Sequence, residues 1–143
     1  MGYPSSIISL LLLLLLASCS QTQKPNDKSM TSQAAQVVQR QLEAYNNRDI
    51  EAFMALFSDD ATLLSFPGDQ VLAKGKAQVK EVYQKLFESS PKLHSELVNR
   101  SVIGTKVIDH ERITGRQGKS EAIELAVVYE VTDGKISRCM VVK

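Results

Sequence analysis

The chain has 143 residues carrying 17 basic and 16 acidic side chains, a formal net charge of +1 at pH 7. That balance leaves no basic stripe and sets nucleic acid aside as a partner. With only two histidines, two cysteines and no CxxC or HxxxH spacing, neither a transition-metal site nor any other cofactor is expected.

The chain opens with an uncharged run from Ile7 to Ala17 that contains the consecutive leucines Leu10 to Leu16. A transmembrane helix needs about 20 apolar residues, whereas a secretory signal needs a core of roughly 7 to 15 followed by small residues. The segment therefore reads as a targeting signal, although no Lys or Arg precedes it. Leu16-Ala17-Ser18-Cys19 resembles the bacterial lipobox, which implies cleavage before Cys19 and lipidation of its sulfur. The resemblance extends to Ser20, which in place of Asp implies the periplasmic face of the outer membrane of a Gram-negative bacterium. Residues 1–18 are thus read as a signal peptide and 19–30 as a polar, lipidated tether. With Cys19 acylated, Cys139 has no partner for an intramolecular disulfide, and it reads as a small buried hydrophobe on the last strand.

Residues 31–143 form one domain's worth of sequence. Thr31 or Ser32 can cap a first helix, whose face carries Val38, Leu42 and Tyr45 and which ends near "NNRD". Asp49 offers a second cap, with Ile50, Phe53, Met54 and Phe57 as the stripe of a short helix stopped by "SDD". "ATLLSF" reads as a strand, "FPGDQ" as a turn, "VLAKG" as a short partner strand, and Val79, Val82, Tyr83 and Leu86 as the face of a third helix. "KLHSELVNRSVIG", "TKVIDHERITG", "EAIELAVVYEV" and "KISRCMVVK" then form an antiparallel meander, the last two joined by a type I′ "TDGK" turn. The expected class is α+β, with the helices stacked on one face of a curved, mostly antiparallel sheet.

The passages "AYNNRDIEAFMALFSDDATLLSFPG", "GKAQVKEVYQKLF" and "VYEVTDGKI" resemble the nuclear transport factor 2-like superfamily, in its SnoaL-like and ketosteroid-isomerase-like group. The resemblance covers residues 31–143 and implies a cone-shaped fold, three N-terminal helices packed on a strongly curved, mostly antiparallel β-sheet, with an apolar cavity between them, and a homodimer. It does not supply the isomerase chemistry. The positions of the isomerase tyrosine and base fall on Gln41 and Ser65, and its second aspartate falls near Leu125 or Ala126. The Asp-Arg-Asp cluster of limonene epoxide hydrolases is matched by Arg100 and Asp109 alone, with no carboxylate on "KISRCMVVK".

The strand "VIDHERITG" carries most of the remaining chemistry. Alternation puts Ile108, His110 and Arg112 on one face and Val107, Asp109, Glu111 and Ile113 on the other. Comparison with the isomerases from Gly104 onwards implies that Ile108 and His110 face the cavity, where Glu124 or Arg100 would partner His110 in acid-base chemistry. Asp109, Glu111 and Arg112 are then expected as cross-strand ion pairs on the solvated side. His94 is ambiguous, and His110 reads equally as a structural histidine. Tyr45, Phe53, Phe66 and Tyr83 are the expected aromatic walls for a flat ligand. Two readings stand: a lipid-anchored envelope protein that binds a small apolar molecule, with His110 the best catalytic candidate, and a noncatalytic, dimeric interaction domain of the envelope.

Overall fold

The computed structural model describes residues 27–143; the apolar run, Cys19 and the tether as far as residue 26 lie outside them. Helices α1 (Asp27–Asn47) and α2 (Ile50–Met54) come first, followed by the hairpin β1 (Phe57–Phe66) and β2 (Gln70–Lys74) and by helix α3 (Lys76–Glu88). The meander β3 (His94–Ile103), β4 (Lys106–Thr114), β5 (Ile123–Thr132) and β6 (Lys135–Val142) completes the chain, with a short 3-10 turn at Arg116–Gly118 between β4 and β5. One sheet joins all the strands in the order β2-β1-β6-β5-β4-β3. Every pairing is antiparallel except β1 with β6. The class is α+β as expected, with α3 after the first hairpin as the sequence reads, and that hairpin joins the four-stranded meander in one six-stranded sheet.

Local chemistry explains the element ends. Asp49 is extended and its carboxylate accepts from the Ala52 amide at 3.0 Å, which caps α2 as the sequence predicts. The last two strands turn at Asp133 (φ 51°) and Gly134 (φ 73°), the paired positive φ of a type I′ turn. Two boundaries differ from expectation. Helix α1 already includes Asp27, four residues ahead of Thr31, so neither Thr31 nor Ser32 caps it. Phe57 opens β1 instead of closing α2, because the Leu56 carbonyl already accepts from the Ile136 amide at 2.8 Å and draws the chain into the sheet.

One face of the sheet is covered. Helix α1 lies across β3 to β6, α3 lies on β1 and β2, and α2 bridges the two helices. Where they meet, Phe53 packs its ring centroid 4.5 Å from Tyr83 and 5.0 Å from Phe57, and Tyr45 meets Phe87 at 5.5 Å. Such pairs contribute about 0.5–1.5 kcal/mol each beyond their burial, so this cluster fixes how the helices sit on the sheet.

Candidate functional site

The helices and the sheet do not close completely on each other. They leave a cavity of about 120 Å³ whose walls come from α1, α3 and the covered face of the sheet. Leu63, Leu86, Ile113, Leu125, Val127 and Val141 make most of it apolar, and the exposed Leu72 and Val82 stand on its rim. Gln41, Tyr45, Ser65, Tyr83, Glu111 and Tyr129 place polar atoms on the wall, and Arg116 and Lys143 add two cations.

Among the described residues, Glu111 is the only acidic side chain on this wall, and it is 5 % exposed. Its carboxylate accepts from the Ser95 hydroxyl at 2.7 Å and from the Tyr129 hydroxyl at 3.3 Å. Ser95 is in turn fixed by Asn46 at the end of α1, which accepts from the Ser95 amide at 2.7 Å and donates to its carbonyl at 2.9 Å. Burial pushes the Glu111 carboxyl above its ordinary value, and the nearby Asp109 carboxylate pushes it further, while Ser95, Tyr129 and Arg100 oppose the rise. The phenol of Tyr129 is also raised, mainly by burial, so it keeps its proton and serves as a donor.

The neighbouring Asp109 is fully buried but has a different task. Arg100 clamps it through two bonds of 2.7 Å, and the same guanidinium donates to Gln39 at 3.0 Å and to the Ala35 carbonyl. The hydrogen bonds to Asp109 raise the Arg100 guanidinium further above its ordinary value. This pair ties α1 to β3 and β4, and neither member lines the cavity. Removing one partner of a buried ion pair costs about 3–5 kcal/mol, because the other charge is stranded.

The expected faces of β4 are therefore exchanged. Ile108 and His110 lie on the outer face of the sheet, while Asp109 and Glu111 point inward. His110 and Glu124 do meet, at 3.1 Å, but with about half of each side chain exposed, and Glu124 also accepts from Arg112 at 2.8 Å. Arg112 holds the Glu124 carboxyl below its ordinary value, with His110 adding to the effect. Of the aromatic walls expected, Tyr45 and Tyr83 line the cavity, Phe53 is sealed in the core and Phe66 is 52 % exposed beyond it. His94 is exposed at the start of β3.

The positions that the isomerase resemblance singled out, Gln41, Ser65 and Leu125, all lie on the cavity wall. The placement holds while the side chains differ: a carboxamide, a hydroxyl and an alkyl group replace the tyrosine and the two aspartates. Glu111 was missed because its strand alternates charge on both faces. The signal that finds it is on β5, where Leu125, Val127, Tyr129 and Val131 form the heavier apolar set and register directly against Glu111, Asp109 and Val107. Cys139, a buried thiol beside Tyr83, is pushed up to about 12 by burial and is inert as a nucleophile. Among the described residues, no three His, Cys, Asp or Glu side chains converge in a way that would hold a metal.

Comparison with known proteins gives the fold a context. The family profile for the SnoaL-like domain matches residues 38–139. An uncharacterised cystatin-fold protein from Novosphingobium aromaticivorans superposes with a TM-score of 0.70 at 23% identity, over 77% of this chain and 97% of its own. A candidate ketosteroid isomerase from Kribbella flavida gives 0.69 at 20% identity, over 78% of each chain. A candidate SnoaL-like polyketide cyclase from Jannaschia sp. CCS1 gives 0.66 at 18% identity, over 83% of this chain and 89% of its own. Among curated proteins, none matches the chain.

Proposed function

The chain belongs to the SnoaL-like domain family, and from that premise we propose that its domain binds a small, mostly apolar molecule in the cavity, with Glu111 as the group that exchanges a proton with it. One observation carries this reading: a buried carboxyl, held toward its neutral form, on the wall of an otherwise apolar hollow. Burying such a group is costly, and a carboxyl so placed on a cavity wall marks a candidate functional group. The names of the solved relatives, an isomerase and a cyclase candidate, support a small-molecule reading of the same fold.

The arrangement suits proton transfer. In its neutral form Glu111 donates to a ligand oxygen; ionised, it is stabilised by the hydroxyls of Ser95 and Tyr129 while it withdraws a proton. His110 has no part in this, since it faces away from the cavity. The test is a thermal-shift screen of one- and two-ring aromatic compounds on the chain from Ser20 onwards. A ligand held at about 100 times its dissociation constant raises stability by about 2.7 kcal/mol, and Glu111→Leu removes the response to compounds that carry a polar group. A response that is the same in both proteins would take Glu111 out of the site.

A second reading is favoured by the outer face of the sheet. Ile108, Val128 and Met140 register side by side, with Ala126 beside Val142, and all five are half-buried with no helix over them. That apolar patch suits a second copy of the chain, in line with the dimer that the family resemblance implies. Both readings place the domain at the cell envelope, held through lipid on Cys19, on the strength of the lipobox-like Leu16-Ala17-Ser18-Cys19.

A further inference from the structure

The polar groups of the cavity are not scattered. Strands β4, β5, β6 and β1 run so that the end of β4, the start of β5 and the ends of β6 and β1 lie at one edge of the sheet. Arg116 stands beyond that end, Glu111 and Lys143 both fall in the row of Leu125, and Tyr129 lies further in along β5. The hollow therefore has a guanidinium at one end and carbonyl and carboxyl oxygens, from Gln41 and Glu111, further along its wall.

The Arg116 end is built with care. Gly115 adopts φ 68°, and a Cβ there would overlap the Lys92 carbonyl oxygen, so the chain passes flush against the loop before β3. The buried Ser90 hydroxyl accepts from the Gln117 amide at 2.9 Å and pins the other side of the turn. Arg116 is thus held between two fixed residues, and among the described residues its guanidinium makes neither a salt bridge nor a side-chain hydrogen bond. Further along the wall, the carboxamide of Gln41 is 3 % exposed and its Oε1 has no hydrogen-bond partner, although a buried unpaired acceptor is costly.

We propose that the cavity takes a single-ring aromatic carboxylate that also bears a hydroxyl. The ring packs among Leu63, Leu86, Ile113 and Val127, the carboxylate meets Arg116 at the mouth, and the hydroxyl donates inward to Glu111 or Gln41. Size sets the single ring: the hollow of about 120 Å³ is comparable to the ~150 Å³ engineered cavity that admits benzene. Charge sets the carboxylate, since a planar guanidinium without a partner is a bidentate receptor for one. The hydroxyl follows from the Oε1 of Gln41, which lacks a donor, with the Glu111 carboxyl on the same wall.

This inference rests on the cavity being the binding site, and the experiment separates the two. Calorimetric titration of the purified chain with 4-hydroxybenzoate and with its near-isosteric neutral amide, 4-hydroxybenzamide, reads the charge directly. The acid should bind about tenfold or more tightly than the amide, and Arg116→Gln should erase that preference by lowering the affinity for the acid to about that for the amide. Equal affinity for the two probes, or a preference that survives Arg116→Gln, overturns the carboxylate assignment and leaves the apolar cavity standing. Failure of both probes to bind overturns the carboxylate assignment and the cavity reading together. Circular dichroism of Arg116→Gln confirms that the variant folds, and Arg116→Lys, which keeps the charge but loses the fork, should retain part of the preference.

Discussion

Glu111 and Asp109 sit two residues apart on one strand face, yet their surroundings give them opposite roles. Asp109 finds a full countercharge in Arg100 and becomes a structural bolt; Glu111 hydrogen-bonds only to neutral hydroxyls and is left on the cavity wall, where we propose that it exchanges a proton. A strand written Val-Ile-Asp-His-Glu-Arg-Ile does not reveal this, because each face carries both charge and aliphatic carbon, and the partners that decide burial lie on β3 and β5. The raised Glu111 value has a thermodynamic signature. Its ordinary value is 4.5 and its folded value is higher, so the folded chain holds the proton more tightly and the stabilisation is fully present below 4.5. As the pH rises from there through the folded value, wild-type stability should fall relative to Glu111→Gln by about 1.4 kcal/mol per pH unit, then run parallel above it. Chemical denaturation of both proteins across that range checks this, and parallel curves throughout would contradict it. His110→Ala, by contrast, should leave ligand responses unchanged, since its partner Glu124 lies on the outer face.

At the scale of elements the sequence was largely readable. Helical spacing located α3 from Lys76, Asp49 announced α2, and Asp133-Gly134 fixed the last hairpin. Those signals are local, which is why they survive without knowledge of neighbours. What stayed hidden depends on contacts remote in the chain: Phe57 is drawn into β1 by Ile136, and the turn after β4 is shaped by Lys92. That turn offers a sharp comparison. Gly115 and Gly118 share positive φ, but only Gly115 lies against backbone; nothing lies within 4 Å of a Cβ at Gly118. Gly118→Ala should therefore cost about 1 kcal/mol from backbone strain alone, whereas Gly115→Ala should cost about 2 kcal/mol or more and displace Arg116. Equal losses in urea denaturation would mean that the close approach to Lys92 does not shape the turn.

Across the whole molecule, the cavity and the outer sheet face divide the work. The covered face supplies the hollow, and the uncovered apolar patch of Ile108, Ala126, Val128, Met140 and Val142 is the surface proposed for a second copy. Light scattering should give twice the chain mass for the wild type and the monomer mass for Val128→Lys; a monomeric wild type would remove the second reading. For the proposed anchor, Cys19→Ser should move the protein from the membrane to the soluble fraction of cells. The claim on which the account turns is that the hollow beside Glu111 receives a small apolar molecule. Methyl-resolved NMR titration with one-ring aromatic compounds tests it most directly. The account predicts shifts of Leu63, Leu86, Ile113, Leu125, Val127 and Val141, which line the cavity, with Ile108 and Val128 on the outer face unmoved. Shifts confined to the outer face, or none at any site, would contradict it.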